Sequence, residues 1–331
     1  MNYEDQKKMS KALLSGKLKG RKMSEKVKFK CTGCGVCCFN NEVLVNMYDL
    51  IRLRNALGLS TSELQKTGCL DYYIGPSSGL PVTRINFKLT RADSKVTKCP
   101  FLAPAFNFKD VSEKIKDKVK TKEEFEAKLE QYKKDPRSLE SDLNGVKISK
   151  WLCGVHKDRP LICRLYPCGR LQRVDTKTKK VKEMYIFQDN QKSICEGFKS
   201  NNEITIGDFL KEQGVPEFRE GSNKAIEIMN LLADSGCVMK TNDNAKNKIP
   251  PVFDPQSVTL FFLSNLLYNF DSFNMFSNDP IVVSTIKDKN VGQKEFLYVM
   301  DKIKEAVEVF IKMVHSKNKE DVEEQLTKII R

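Results

Sequence analysis

The chain has 331 residues, more than the roughly 250–300 at which one hydrophobic core stops growing, so two domains, or one with a large appendage, are expected. Hydrophobic residues make up 40% of it, which excludes a disordered chain and allows a real core. The formal charge of +14 is uneven: residues 1–30 carry ten Lys/Arg against Glu4, Asp5 and Glu25, whereas residues 250–331 carry ten against twelve Asp/Glu. The basic character is thus local to the N-terminal arm and the cysteine region; contact with nucleic acid or another acidic partner, through the arm, is an expectation, with a solvated Lys-rich face as the plainer account.

The longest apolar stretch, Val258 to Tyr268, is about half of what a membrane-spanning helix needs, so no membrane association is expected. The first residues lack the apolar run of a secretory signal, and the expected location is cytoplasmic. Oligomeric state has no signature in the sequence.

Residues 1–28 read as a basic flexible arm. Phe29 to Val45 holds a dense cysteine knot and the short alternating strand EVLVN. Asn46 is placed to cap a helix through Leu57 that presents Leu50, Ile51, Leu53 and Leu57, with Gly58 as its C-cap. Ser60 and Glu63 form a capping box for the next helix, and Thr83 to Leu89 is a strand candidate. Between Leu102 and Trp151 the composition becomes charge-dense. Ile115/Val119 and Phe125/Leu129/Tyr132 at helical spacing read as an inserted helical hairpin between two halves of the metal site, with a solvated spacer as the plainer account.

A β-hairpin is expected over residues 170–188, turning at Thr176 to Lys180. Thr205 is expected to cap a helix ending near Gly214, and Pro216 to open another through about Asp234. Val258 to Phe270 is apolar nearly all round and reads as a buried helix. Phe296, Val299, Ile303, Val307, Phe310 and Val314 form the stripe of a long amphipathic helix, and a last helix is expected over Lys319 to Ile330. No internal repeat or low-complexity tract occurs. The expected fold is α+β: a small irregular cysteine-rich metal-binding domain with short strands and helices over residues 29–214, carrying a charged helical insertion at about 103–150, then a helical C-terminal region over 215–331.

Eleven cysteines in a reducing compartment read as metal ligation before disulfides. KCTGCGVCCF places Cys31, Cys34, Cys37 and Cys38 within eight residues, and Gly33 and Gly35 supply the turning backbone they need. The first three have the Cys-x2-Cys-x2-Cys spacing that grips a [4Fe-4S] iron-sulfur cluster in ferredoxins; zinc accepts the same thiolates and remains the alternative cofactor. Cys99, Cys153, Cys163 and Cys195 complete eight candidate metal ligands. Cys168 would be a ninth, acting as ligand, ligand support or reactive thiol, while Cys69 and Cys237 read as buried structural cysteines.

Lys157, Arg159 and Arg164 are candidates to hydrogen-bond the thiolates, with a surface ion pair as the alternative for Arg159. His156 is a candidate ligand or proton donor, Tyr166 and Pro167 would wall the site from water, and His315 is explained by its place at a helix C-terminus.

FKCTGCGVCC with VLVNMYDLIRLRNALGLS, then CPFL, CGVHKDRPLICRLYP and CEGF leading into ITIGDFLKEQG, resembles the YkgJ-type cysteine-cluster family, whose shared domain is a zinc- or iron-chelating one. The resemblance covers about Phe29 to Gly214 and implies the same eight cysteines as ligands. The long insertion before Cys153, His156 where the family often has Tyr, and the extra Cys168 depart from the pattern. Relatives with a similar cluster include flagellin lysine methylases.

Three functions follow. The chain is a metal-binding protein whose centre is structural or electron-carrying and which acts through a protein partner; or a protein-modifying enzyme similar to those methylases; or a metal storage or delivery protein. A Gly-rich methyl-donor loop, the Cys-x3-Cys-x2-Cys radical motif, a P-loop and a nucleophile elbow are absent from the sequence.

Overall fold

The computed structural model of the chain describes residues 20–75, 78–91, 96–134, 146, 148–174, 181–188, 195–236, 255–288 and 290–316. The first nineteen residues of the basic arm, the turn at Thr176 to Lys180, Cys237 and the helix expected over Lys319 to Ile330 lie outside these.

Strand β1 (Lys26–Lys28) pairs antiparallel with a short strand at Glu203–Thr205, tying the end of the basic segment to the body of the protein. After the cysteine knot come β2 (Leu44–Val45) and helix α1 (Met47–Leu57). Asn46 and Asp49 cap α1 reciprocally, and Gly58 ends it in the left-handed conformation, as the sequence predicts. Helix α2 (Thr61–Lys66) starts on the expected Ser60/Glu63 box. β3 (Leu70–Ile74) and β4 (Pro81–Ile85) complete a sheet of order β2-β4-β3, all antiparallel.

The strand expected through Leu89 stops at Ile85. The Asn86 N–H is drawn to the Cys69 carbonyl (2.8 Å), and its side chain accepts from the Lys88 N–H (3.1 Å), which turns the chain into a 3-10 segment at Phe87–Leu89.

β5 (Thr90–Arg91) and β6 (Thr97–Lys98) form a small ladder ahead of β7 (Leu102–Phe106). The inserted hairpin forms as helices α3 (Phe108–Lys116) and α4 (Lys122–Lys134). It carries its own apolar cluster of Val111, Ile115 and Tyr132, with Phe106, Val119, Phe125 and Leu129 packed on it, so it is more than a solvated spacer. β8 (Ile148–Cys153) returns beside β7 and is followed by the short helix α5 (Leu161–Leu165). The expected hairpin is β9 (Cys168–Val174) with β10 (Val181–Phe187). β11 is the Glu203–Thr205 strand already met.

Helices then dominate: α6 (Ile206–Glu212), capped by Thr205; α7 (Val215–Asp234); α8 (Pro255–Tyr268); α9 (Asn274–Ser277); α10 (Pro280–Lys287); and α11 (Gln293–His315). The fold is thus α+β, with an N-terminal region of mixed strands and helices and a largely helical C-terminal region. No helix among the described residues is long and apolar enough to cross a membrane.

One continuous core runs from Val27 to Phe310, and α1 is its axis: every residue from Met47 to Asn55 is buried, charged ones included. Arg52 bonds Asp158 (2.8 Å) and Glu217 (3.0 Å) while lying between the rings of Phe218 and Phe296 at 4.6 and 4.4 Å. Arg54 pairs with Asp271 and donates to the Val282 carbonyl (2.8 Å) and the Thr285 hydroxyl. Two apolar readings need correction. Phe261, on the helix expected to be buried throughout, is 73% exposed, and Val314, the last member of the α11 stripe, is 44% exposed.

Candidate thiol site

The CTGCGVCC segment turns at Gly33 and Gly35, both at positive φ (68° and 73°), and closes into a 3-10 turn at Val36–Cys38 in which the Cys38 N–H donates to the Gly35 carbonyl at 2.8 Å. Downstream cysteines are then delivered by backbone pairing. The Cys99 N–H bonds the Cys38 carbonyl (2.8 Å), next to a bridge between Phe39 and Lys98. The β7–β8 register sets Cys153 opposite Leu102, three residues beyond Cys99. Helix α5 carries Cys163, and the Lys30 N–H bonds the Gly197 carbonyl (3.2 Å), which brings Cys195 alongside the knot. Beneath, Phe29 meets Tyr166, Phe187, Phe198 and Phe209 edge-on at centroid distances of 5.0–6.5 Å. Tyr166 thus belongs to an aromatic cluster around Phe29.

Thiol electrostatics follow from this packing. The Cys38 thiol donates a hydrogen bond to Cys37, which brings the Cys37 thiol down from 9.0 to about 7 against the opposing effect of burial; its own backbone N–H and the Arg159 charge assist. The same bond, with burial and the charges of Cys37, Cys99 and Cys163, drives the Cys38 thiol far up, so it keeps its proton. Burial raises Cys163 well above its usual range, and the fields of Cys99, Cys37, Cys153 and Asp49 add to this. Burial also raises Cys195, whose thiol hydrogen-bonds Cys34 and feels Cys37.

Seven of the nine candidate cysteines (Cys34, Cys37, Cys38, Cys99, Cys153, Cys163 and Cys195) thus share one neighbourhood. Cys31 is exposed, and Cys168 lies buried in β9, where burial alone pushes its thiol up to about 12. Cys69, expected to be a buried structural cysteine, is half-buried.

This neighbourhood does not fit the metal that the sequence leads one to expect. Among the described residues no group of three or more His, Cys, Asp or Glu is arranged so that it could hold a metal ion. A centre needs several sulfur atoms about 2.3 Å from one point. Here the thiols meet as neighbours in pairs, Cys38 beside Cys37 and Cys195 beside Cys34.

The metal-binding assignment is corrected accordingly: the iron-sulfur or zinc cofactor, the structural or electron-carrying centre, and metal storage are withdrawn. With chelation gone, the YkgJ-type resemblance loses its basis, and nothing in the site supports a methylase. No family model, curated protein or solved structure matches the chain.

The basic residues are also placed differently from expectation. Arg159 forms no surface ion pair among the described residues: it is buried and donates to the His156 carbonyl (2.6 Å) and Gln213 Oε1 (2.7 Å). Arg164 donates to the carbonyls of Arg159 (3.0 Å), Gln213 (2.9 Å) and Lys157, and stacks on Phe218 at 3.6 Å. His156 lies in a 3-10 turn, where desolvation of its ring and the Arg159 and Arg164 charges lower its pKa. His315 contacts the Ser235 carbonyl (2.9 Å) at the end of α11.

Sequence reasoning misses Asp49. It is fully buried, accepts from the N–H groups of Leu161 (2.9 Å) and Asn46 (3.3 Å), and acts on Cys163 through space. Burial raises its pKa to about 6. Its only signal is a carboxylate three residues after an Asn cap, which reads as capping chemistry.

Proposed function

We propose that the chain is a thiol–disulfide exchange protein in which Cys37 is the nucleophile and Cys34 the resolving thiol. The carrying observation is the Cys34-Gly35-Val36-Cys37 turn, which leaves both thiols half-buried on one loop with Cys38 beside Cys37 to lower its thiol. An attacking thiol with a pKa near ambient pH combines thiolate population with nucleophilicity, and the Cys-x2-Cys spacing brings a second thiol within reach.

In the reaction the Cys37 thiolate attacks one sulfur of a substrate disulfide. A Cys37–substrate bond forms, the substrate S–S bond breaks, and the departing thiolate takes a proton from water. Cys34, losing its proton to solvent, then attacks Cys37 Sγ. The Cys34–Cys37 disulfide forms as the second substrate thiolate leaves, so two electrons pass from the pair to the substrate. Cys38 keeps its proton throughout and acts as the standing donor to Cys37. Protein disulfides are the natural partners, and a reducing cytosol would regenerate the dithiol.

Equilibration in graded mixtures of reduced and oxidised dithiothreitol, followed by alkylation and peptide mass mapping, tests this. One two-electron transition to a Cys34–Cys37-linked form is expected. A Cys37→Ser protein that titrates like the parent, or a linkage that leaves out Cys37, overturns it.

A further inference from the structure

The segments that carry the thiols are strongly cationic. Residues 29–39, 97–99, 153–164 and 195–200 hold Lys30, Lys98, Lys157, Arg159, Arg164 and Lys199 against only Asp158 and Glu196. Asp158 is paired with Arg52 at 2.8 Å, which Glu217 shares at 3.0 Å. Glu196 is exposed and only 3.5 Å from the Thr32 hydroxyl.

Two of these cations are built in. Arg159 and Arg164 are buried and hydrogen-bonded by carbonyl and amide oxygens, which satisfy donors without cancelling charge; the carboxylates of Asp158, Glu217 and Asp49 offset Arg164 only through space. Lys30, Lys157 and Lys199 are exposed, and none of these five residues is in an ion pair among the described residues. The hydrogen bond from the Lys30 N–H to the Gly197 carbonyl holds the segments of Lys30 and Lys199 together beside Cys195. Lys98 Nζ lies 4.9 Å over the Trp151 ring, whose Cβ abuts Gly35 of the turn. The carboxyl of Asp49 is buried and acts on Cys163 through space.

A half-buried nucleophile among segments of net positive charge attracts anions and repels cations, and low-dielectric walls strengthen the effect. We propose that this site selects acidic disulfides, those whose sulfur atoms are flanked by carboxylates, whether on a small peptide or on an acidic protein segment. The proposal rests on the exchange reading above and adds the substrate class.

The test is the second-order rate at which Cys37 is modified by glutathione disulfide (anionic), 2-hydroxyethyl disulfide (neutral) and cystamine (cationic), read by quenching and mass mapping. Each rate is divided by that of the same disulfide with free 2-mercaptoethanol, which removes intrinsic reactivity. At low salt the anionic disulfide should lead the cationic one by about 10-fold or more, and the gap should close at high salt as screening shortens the field. The exposed-site double variant Lys30→Glu/Lys199→Glu, checked for native circular dichroism, should bring the ratio to unity or below.

A disulfide-linked peptide with Asp and Glu flanking its cysteines separates the sources. A rate well above that of glutathione disulfide assigns the site to acidic protein segments, and an equal rate assigns it to small acidic disulfides. Equal corrected rates for the anionic and cationic reagents, with Cys37 still reactive, overturn the selection alone. Failure of all three reagents to modify Cys37 overturns the exchange reading and the selection with it.

Discussion

Trp151 Cβ stands 2.8 Å from where a side-chain carbon at Gly35 would begin, so the cysteine turn is fitted against β8 by the absence of an atom. Gly35 is also at φ 73°, where a side chain is strained even in open space. The contact joins the Cys34–Cys37 turn to the strand that carries Cys153.

Gly35→Ala should therefore destabilise the protein by about 1–3 kcal/mol, from backbone strain and the clash together. Gly33→Ala is the control: its φ is 68°, but no atom lies within 4 Å of the added carbon. It should cost about 1 kcal/mol, the strain alone. Urea unfolding of the two variants measures the difference, and equal losses would show that Trp151 can move aside.

The pairing of Arg54 with Asp271 gives a larger effect. Arg54 is fully buried, and Asp271 also accepts from the Thr61 N–H (2.6 Å) and hydroxyl (2.9 Å), which ties α1, α2 and the α8–α9 connection together. Arg54→Ala strands a buried carboxylate and should cost about 3–5 kcal/mol. Adding Asp271→Asn to it should recover part of that loss, because the stranded charge is gone. A double variant as unstable as the sum of the two single changes would argue against the coupling.

Asp49 sets a pH dependence of unusual sign. Burial lifts its pKa from 3.8 to about 6, so between those values the folded state binds more protons than the unfolded one. Its contribution to stability accordingly falls as pH rises through that window and stays lower above it. Asp49→Asn removes this contribution. Relative to the parent, the variant should gain roughly 3 kcal/mol between acid and neutral pH, on top of a pH-independent cost for the lost acceptor. Denaturation midpoints at about pH 3.5 and 7 measure it, and a constant difference would place the titration elsewhere.

Cys37 alkylation by iodoacetamide should be half-maximal near pH 7, where the hydrogen bond from Cys38 places the thiol, and not near 9.0. Cys38→Ala removes that donor, so the midpoint should move up towards the ordinary thiol value. Cys38→Ser keeps an O–H and should restore most of the reactivity. Identical profiles for the Ala and Ser variants would rule out the hydrogen bond as the cause.

Local chemistry is what the sequence determined by itself. The Asn46 and Ser60 capping boxes, the Gly58 stop, the Thr205 cap and the α11 stripe from Phe296 to Phe310 all rest on partners within a few residues, where spacing fixes contact. The turning of the cysteine knot was legible for the same reason, from two glycines between closely spaced thiols.

Only the tertiary structure decided what those thiols do. Whether sulfur atoms meet in pairs or surround a point depends on the few ångströms at which Cys195 and Cys99, brought from distant segments, meet Cys34 and Cys38. Spacing along the chain carries no information about such distances. The charged residues of α1 illustrate the same limit. Asp49, Arg52 and Arg54 are all buried, because Leu161, Asp158, Glu217 and Asp271 supply their partners from 100 to more than 200 residues away. A charge enters a core only when partners are waiting there, and those partners come together only in the folded chain.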